Sequence, residues 1–168
     1  GTNGSIFRTN DGGSSWINQS IAISDDFKTI SVLNKDTCFV AGDNGKMYKT
    51  IDGGTNWLLV PTGTTNTINS MYFSTNSTGF IGGWGEFIYR TTNGGQTWTQ
   101  QYNYGSAFAI TSLFFTDSLH GFGISEYRLY RSTNGGVNWN FVYSPTNILN
   151  KAAAINSAGI GIMVGKAG

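Results

Sequence analysis

Glu86 and Glu126 are the only glutamates of the chain. Two carboxylates flanking a sugar linkage are what glycoside hydrolysis requires. Arg8, Arg90, Arg128 and Arg131 could clamp a carboxylate-bearing substrate. His120 is the single histidine, and Cys38 the single cysteine. Each group also has a plainer reading. Arg8, Arg90 and Arg131 share one position in a repeat, with Lys49 in the remaining copy. Equivalent positions point the same way in successive units, so they do not converge on one ligand. They read as exposed strand residues. Glu86 and Glu126 fall in turns, where a carboxylate is usually solvated. His120, beside Gly121, has no companion ligands and makes no metal site. Cys38 lies in an expected strand and packs as a small hydrophobe. No nucleophile elbow, phosphate loop or CxxC is present. The expectation is a non-enzyme with no cofactor and no metal.

The elements that must position these residues follow from the tryptophans. Trp16, Trp57, Trp98 and Trp139 recur at a step of 41. Each closes the same stretch: RTNDGGSSW, KTIDGGTNW, RTTNGGQTW and RSTNGGVNW. A fixed period of this size decides the architecture before any other signal. Within the second unit TISVLN, TCFVAG, KMYKT and WLLV read as four short strands, and the third and fourth units repeat the pattern. Four strands per period predict an all-β chain of four-stranded antiparallel propeller blades. The Gly-Gly pair sits in the turn between the third and fourth strands, C and D. Its glycines supply positive φ, the Asp or Asn accepts from turn amides, and the tryptophan folds over the glycines.

The stretch is identified as the Asp-box, or BNR repeat. Its residues here are Thr9, Asp11, Gly13 and Trp16; Thr50, Asp52, Gly54 and Trp57; Thr91, Asn93, Gly95 and Trp98; and Ser132, Asn134, Gly136 and Trp139. The repeat occurs in sialidases, sortilin-type receptors and photosystem II stability/assembly-factor-like propellers. The even spacing resembles the last group most, including relatives in secreted bacterial proteins. Asn in two boxes keeps the acceptor and loses the charge, which argues against a metal site. A sialidase resemblance implies an arginine triad, and the arginines here do not supply one.

Register divides the chain into one propeller region, 1–168: a half blade 1–25, blades at about 26–66, 67–107 and 108–148, and a half blade 149–168. The two ends align at the same turn between strands B and C. The chain is therefore either a piece of a larger propeller or a closed four-blade ring. Charged residues make up only 11% and the net charge is +1, which gives no case for nucleic acid. No segment is long and apolar enough to insert in a membrane. This composition suits a secreted or cell-surface protein.

Function is expected in binding. The D–A and B–C loops share one face of a propeller and the boxes lie on the other. The non-repeating residues of the first face are Trp84, Glu86, Tyr102, Tyr104, Glu126, Tyr127, Arg128 and Tyr143. Aromatic and arginine side chains are typical interface anchors. The reading is a protein-binding or structural scaffold, its partner being a protein or other domains of a longer chain. The alternatives are a glycan-binding or sialidase-like glycosidase module, and, by resemblance alone, an assembly factor for a membrane complex.

Overall fold

A computed structural model describes residues 1–143, 148–156 and 160–167. It contains three complete four-stranded antiparallel sheets between two two-stranded ones. The first pair is β1 (Phe7–Arg8) and β2 (Ile17–Asn18). The first full blade runs β3 (Phe27–Val32), β4 (Cys38–Gly42), β5 (Met47–Thr50) and β6 (Leu58–Val60). The second runs β7 (Ile68–Phe73), β8 (Gly79–Gly83), β9 (Phe87–Thr91) and β10 (Thr99–Asn103). The third runs β11 (Ile110–Phe115), β12 (Gly121–Ser125), β13 (Leu129–Ser132) and β14 (Asn140–Tyr143). The last pair is β15 (Ile148–Ile155) and β16 (Gly161–Ala167). The all-β propeller architecture expected from the period is the one observed. The terminal pairs remain separate sheets, so the blades form an open arc.

Strand order is simple because every connection within a blade is a short antiparallel turn. The innermost A strands, β3, β7 and β11, pack against one another. Each carries a register shift near its start: between Phe27 and Thr29, Ile68 and Ser70, and Ile110 and Ser112. A bulge there bends the strand and increases its twist. The B strands β8 and β12 are buried along their whole length, as strands covered on both faces must be.

The core lies between blades, so a single blade has no closed core. Phe39, Ala41, Met47, Ile68, Met71, Ile81 and Phe87 fill the junction of the first two full blades. Phe80, Ile88, Ile110, Leu113, Tyr130 and Trp139 fill the next. Ile6, Phe27 and Val40 close a smaller cluster at the first half blade.

Candidate functional site

The Asp-boxes occupy the C–D turns as expected, and their chemistry is internal. In every box the Thr or Ser hydroxyl donates to the Asp or Asn side chain and accepts from the second glycine amide. The glycine bonds are Gly13 to Thr9 at 2.8 Å, Gly54 to Thr50 at 2.8 Å, Gly95 to Thr91 at 3.0 Å and Gly136 to Ser132 at 2.9 Å. The outer oxygen of the Asp is used as well. Asp11 accepts from Ser15 Oγ at 2.6 Å, and Asp52 from Asn56 Nδ2 at 2.8 Å. Where the box has Asn the direction reverses, and Asn93 Nδ2 donates to Thr97 Oγ1 at 2.8 Å. Hydrogen bonds from Ser15 hold the Asp11 carboxyl down at about 2, and those from Asn56 do the same for Asp52, also at about 2. Such boxes fix a turn and leave little to offer a ligand.

The tryptophans vary in burial with what precedes them. Trp139 is 6% exposed and donates to the Gly136 carbonyl at 3.2 Å, while Trp16 is 60% exposed. Trp57 and Trp98 are half-buried. The difference arises from the preceding blade. Phe80 packs so closely on Gly136 that an added Cβ would lie 2.1 Å from its ring, and Phe39 does the same to Gly95 at 2.8 Å. Both glycines have positive φ, 75° and 81°, so each is required twice over.

The cations leading the boxes correct the expectation of plain exposed strand residues. Arg8 Nη1 donates to the carbonyl of Gly53, in the next box, and its Nη2 to Lys35 O at 3.1 Å. Lys49 repeats this on Gly94 O at 2.9 Å and lies 5.0 Å over the Phe39 ring. Arg90 is half-buried, and Arg131 alone is exposed as expected.

The other face gathers several of the anticipated binding residues, and Glu86 and Arg128 at its centre differ from expectation. Glu86 is not a solvated turn carboxylate but is fully buried. Its Oε2 accepts from Ser106 Oγ and Arg128 Nη1, each at 2.5 Å. Its Oε1 is buried with no partner among the described residues. Glu86 also has φ 52°. By the period it stands where the earlier units have Gly4 and Gly45, at φ 70° and 66°. A non-glycine residue held in the left-handed region costs about 1–3 kcal/mol and is often found at functional sites.

The pair spans two blades, since Glu86 lies in the B–C turn of one and Arg128 in that of the next. The Arg128 guanidinium lies 4.4 Å from the Tyr104 ring centre and 5.9 Å from that of Phe108. The D–A segment carrying Tyr104 is tied to the B–C turn by Gly85 N to Phe108 O at 2.8 Å and Gly105 N to Gly85 O at 3.0 Å. Tyr127 packs edge-on to Phe108 at 4.6 Å. Trp84 and Tyr104 stay 52% and 57% exposed. Tyr102 turns inward, 4.9 Å from Tyr130 within the blade junction. Burial pushes the Tyr130 hydroxyl well above the usual tyrosine range, with Tyr102 and the Glu86 charge adding to the shift. Glu126 is half-buried. The Tyr143 side chain and residues 144–147 lie outside the described residues.

His120 sits on the box face, its Nδ1 2.8 Å from Asp117 Oδ2. Backbone bonds led by Leu119 N hold the Asp117 carboxyl at about 2. Burial raises the Cys38 thiol to about 11, which keeps it protonated and inert. Among the described residues, no three His, Cys, Asp or Glu side chains are placed to hold a metal ion.

Residues 1–65 match the family described as photosynthesis system II assembly factor YCF48. No curated protein sequence matches the chain. Among solved structures, YCF48 bound to a D1 peptide is similar with TM-score 0.67 and 21% identity, over 83% of this chain and 46% of that one. YCF48 from Cyanidioschyzon merolae gives 0.72 and 16%, over 99% and 59%. An ancestral GH74 enzyme gives 0.75 and 21%, over 95% and 24%. The chain thus spans about a quarter to three-fifths of the propellers it resembles. These likenesses and the boxes identify BNR-type propeller blades.

Proposed function

We propose that this array of BNR-type propeller blades is a non-catalytic, secreted or cell-surface scaffold that holds a protein partner on its D–A/B–C face. One observation carries the reading. A strained, fully buried Glu86 fixes Arg128 beneath the Tyr104 ring, and the loops braced this way expose Tyr104 and Trp84. A packed interior gains nothing from leaving two large rings in water, whereas rigid aromatic anchors on a braced loop suit recognition. A similar propeller solved with a bound D1 peptide supports a peptide ligand. Assembly of a membrane complex is then one form such binding could take.

The likeness to GH74 enzymes favours a second reading, a glycan-directed module. Against hydrolysis stands the state of Glu86. A catalytic carboxylate must reach the substrate, and this one is enclosed and bonded to Arg128 and Ser106. The test is a pull-down from the native source with the chain and with its Trp84→Ala/Tyr104→Ala double variant, alongside a fluorogenic glycoside assay. The partner should be retained by the first and lost by the folded variant. Retention by both, or glycoside turnover abolished by Glu126→Gln, overturns the proposal.

A further inference from the structure

Resting on the reading of this face as a peptide site, we infer that the segment it accepts carries no carboxylate side chains. Proline or aromatic side chains would lie on Trp84 and Tyr104, and backbone carbonyls would accept from Arg128.

The reason is the way charge is arranged there. The described cationic side chains in or bordering the D–A and B–C loops are Lys28, at the start of β3, Lys46 and Arg128, and each is already bound to an acid of those loops. Lys28 lies 3.2 Å from Asp26 and 3.5 Å from Asp43. Lys46 lies 2.5 Å from Asp25, and Arg128 2.5 Å from Glu86. The described acids there are Asp25, Asp26, Asp43, Glu86 and Glu126, five against three, a formal balance of −2 among the described side chains. An acidic segment arriving here meets a field of its own sign, and among the described side chains its carboxylates find no unpaired cation to offset their desolvation.

A neutral segment meets no such barrier. A guanidinium has five N–H donors, and one nitrogen of Arg128, Nη1, is engaged by Glu86. The side chain is 23% exposed, so it can donate to a carbonyl without surrendering its ion pair. Glu86 is then a positioning residue. It orients Arg128, and through Ser106 Oγ, which accepts from Phe108 N at 3.1 Å, it holds the Tyr104 loop. Two exposed rings beside a neutralised arginine offer apolar contact and hydrogen bonding, with no net attraction for anions.

The experiment is selection of a random phage-displayed peptide library on the chain and on its Trp84→Ala/Tyr104→Ala variant. Peptides that need the two rings should be depleted in Asp and Glu relative to the library. Binding of a synthetic copy should change less than about twofold between low and high salt, since few exposed charges are involved. Glu86→Gln, with its fold checked by tryptophan emission, frees the Arg128 charge and should shift selection toward acidic peptides. Enrichment of acidic, salt-sensitive peptides that still need Trp84 and Tyr104 overturns this inference and leaves the face assignment standing. Enrichment indifferent to the two rings, or none at all, overturns both.

Discussion

The two faces of the arc solve the same problem, holding one blade to the next, in opposite ways. On the box face the device is repeated. A phenylalanine from the preceding B strand covers the second glycine, as Phe39 does Gly95 and Phe80 does Gly136. A cation from the preceding box bonds the first glycine carbonyl, as Arg8 does Gly53 and Lys49 does Gly94. On the loop face each junction is braced by different residues. Asp25 takes Lys46 and Asn44, Asp43 accepts from the Thr67 hydroxyl, and Glu86 takes Arg128. A repeated device can set the angle and spacing of blades but cannot mark one site among several. The varied face can, and the left-handed glutamate is found there.

The largest expected effect tests whether stacking gives the box its stability. Trp139→Ala should destabilise by about 3–5 kcal/mol, the range for a buried large aromatic. Trp16→Ala, the same residue in an uncovered box, should stay within about 1 kcal/mol, as exposed substitutions do. Chemical denaturation of both reads this directly. Equal losses would mean that each box is stable by itself and that the preceding blade adds nothing.

On the loop face, Glu86→Ala strands Arg128 and should cost about 2–3 kcal/mol, below the range for a fully buried pair because Arg128 is partly solvated. Glu86→Gly loses the same pair but restores the glycine that the two preceding units have at this turn, Gly4 and Gly45. It should be milder than Glu86→Ala by about 1 kcal/mol, the penalty for a Cβ in the left-handed region. If alanine proves the milder change in the same denaturation series, the backbone at Glu86 carries no strain.

The fold was legible because its signals are local and periodic. The tryptophan step, the Gly-Gly turns and the apolar strands all lie within one unit and recur in register. The site was half legible. Trp84, Tyr104, Tyr127 and Arg128 stood out as residues that do not repeat. The burial of Glu86 did not, since a carboxylate in a turn normally faces water. A signal was present, because Glu86 occupies a place held by Gly4 and Gly45, and a side chain there needs a reason. The role of Arg8 and Lys49 was hidden for another cause. Strand alternation shows which side of a sheet a residue faces, and the carbonyls these cations reach belong to a neighbouring sheet.

Lys49→Ala therefore tests the repeated device at a moderate scale. It removes a hydrogen bond to Gly94 and a contact with the Phe39 ring, and should cost about 1 kcal/mol. Lys35→Ala, whose side chain is 86% exposed beside Asp36, should be near zero as for surface ion pairs. Thermal midpoints of the two variants make the comparison. No difference between them would return Lys49 to the solvent-facing role suggested by strand alternation.

The smallest effect separates boxes of the same face by their chemistry. Asp11 and Asp52 are held at about 2 in the folded chain by bonds from Ser15 and Asn56, whereas an unfolded Asp titrates near ~3.9. A carboxyl depressed by folding contributes stability that is complete above the unfolded value and is lost as pH falls toward the folded one. These two boxes should therefore weaken between about pH 4 and pH 2. Asn93 and Asn134 do not titrate, so their boxes add no slope in that window. Asp11→Asn/Asp52→Asn should accordingly flatten the acid limb of the stability curve and leave neutral-pH stability almost unchanged. Asn already serves at two of the four box positions, and the reversed bond from Asn93 to Thr97 shows how an amide is accommodated. Urea midpoints across the acid range test the sign. An acid limb as steep as that of the parent would place the acid sensitivity elsewhere, with Asp117 and its bonds to Leu119 and His120 the first alternative.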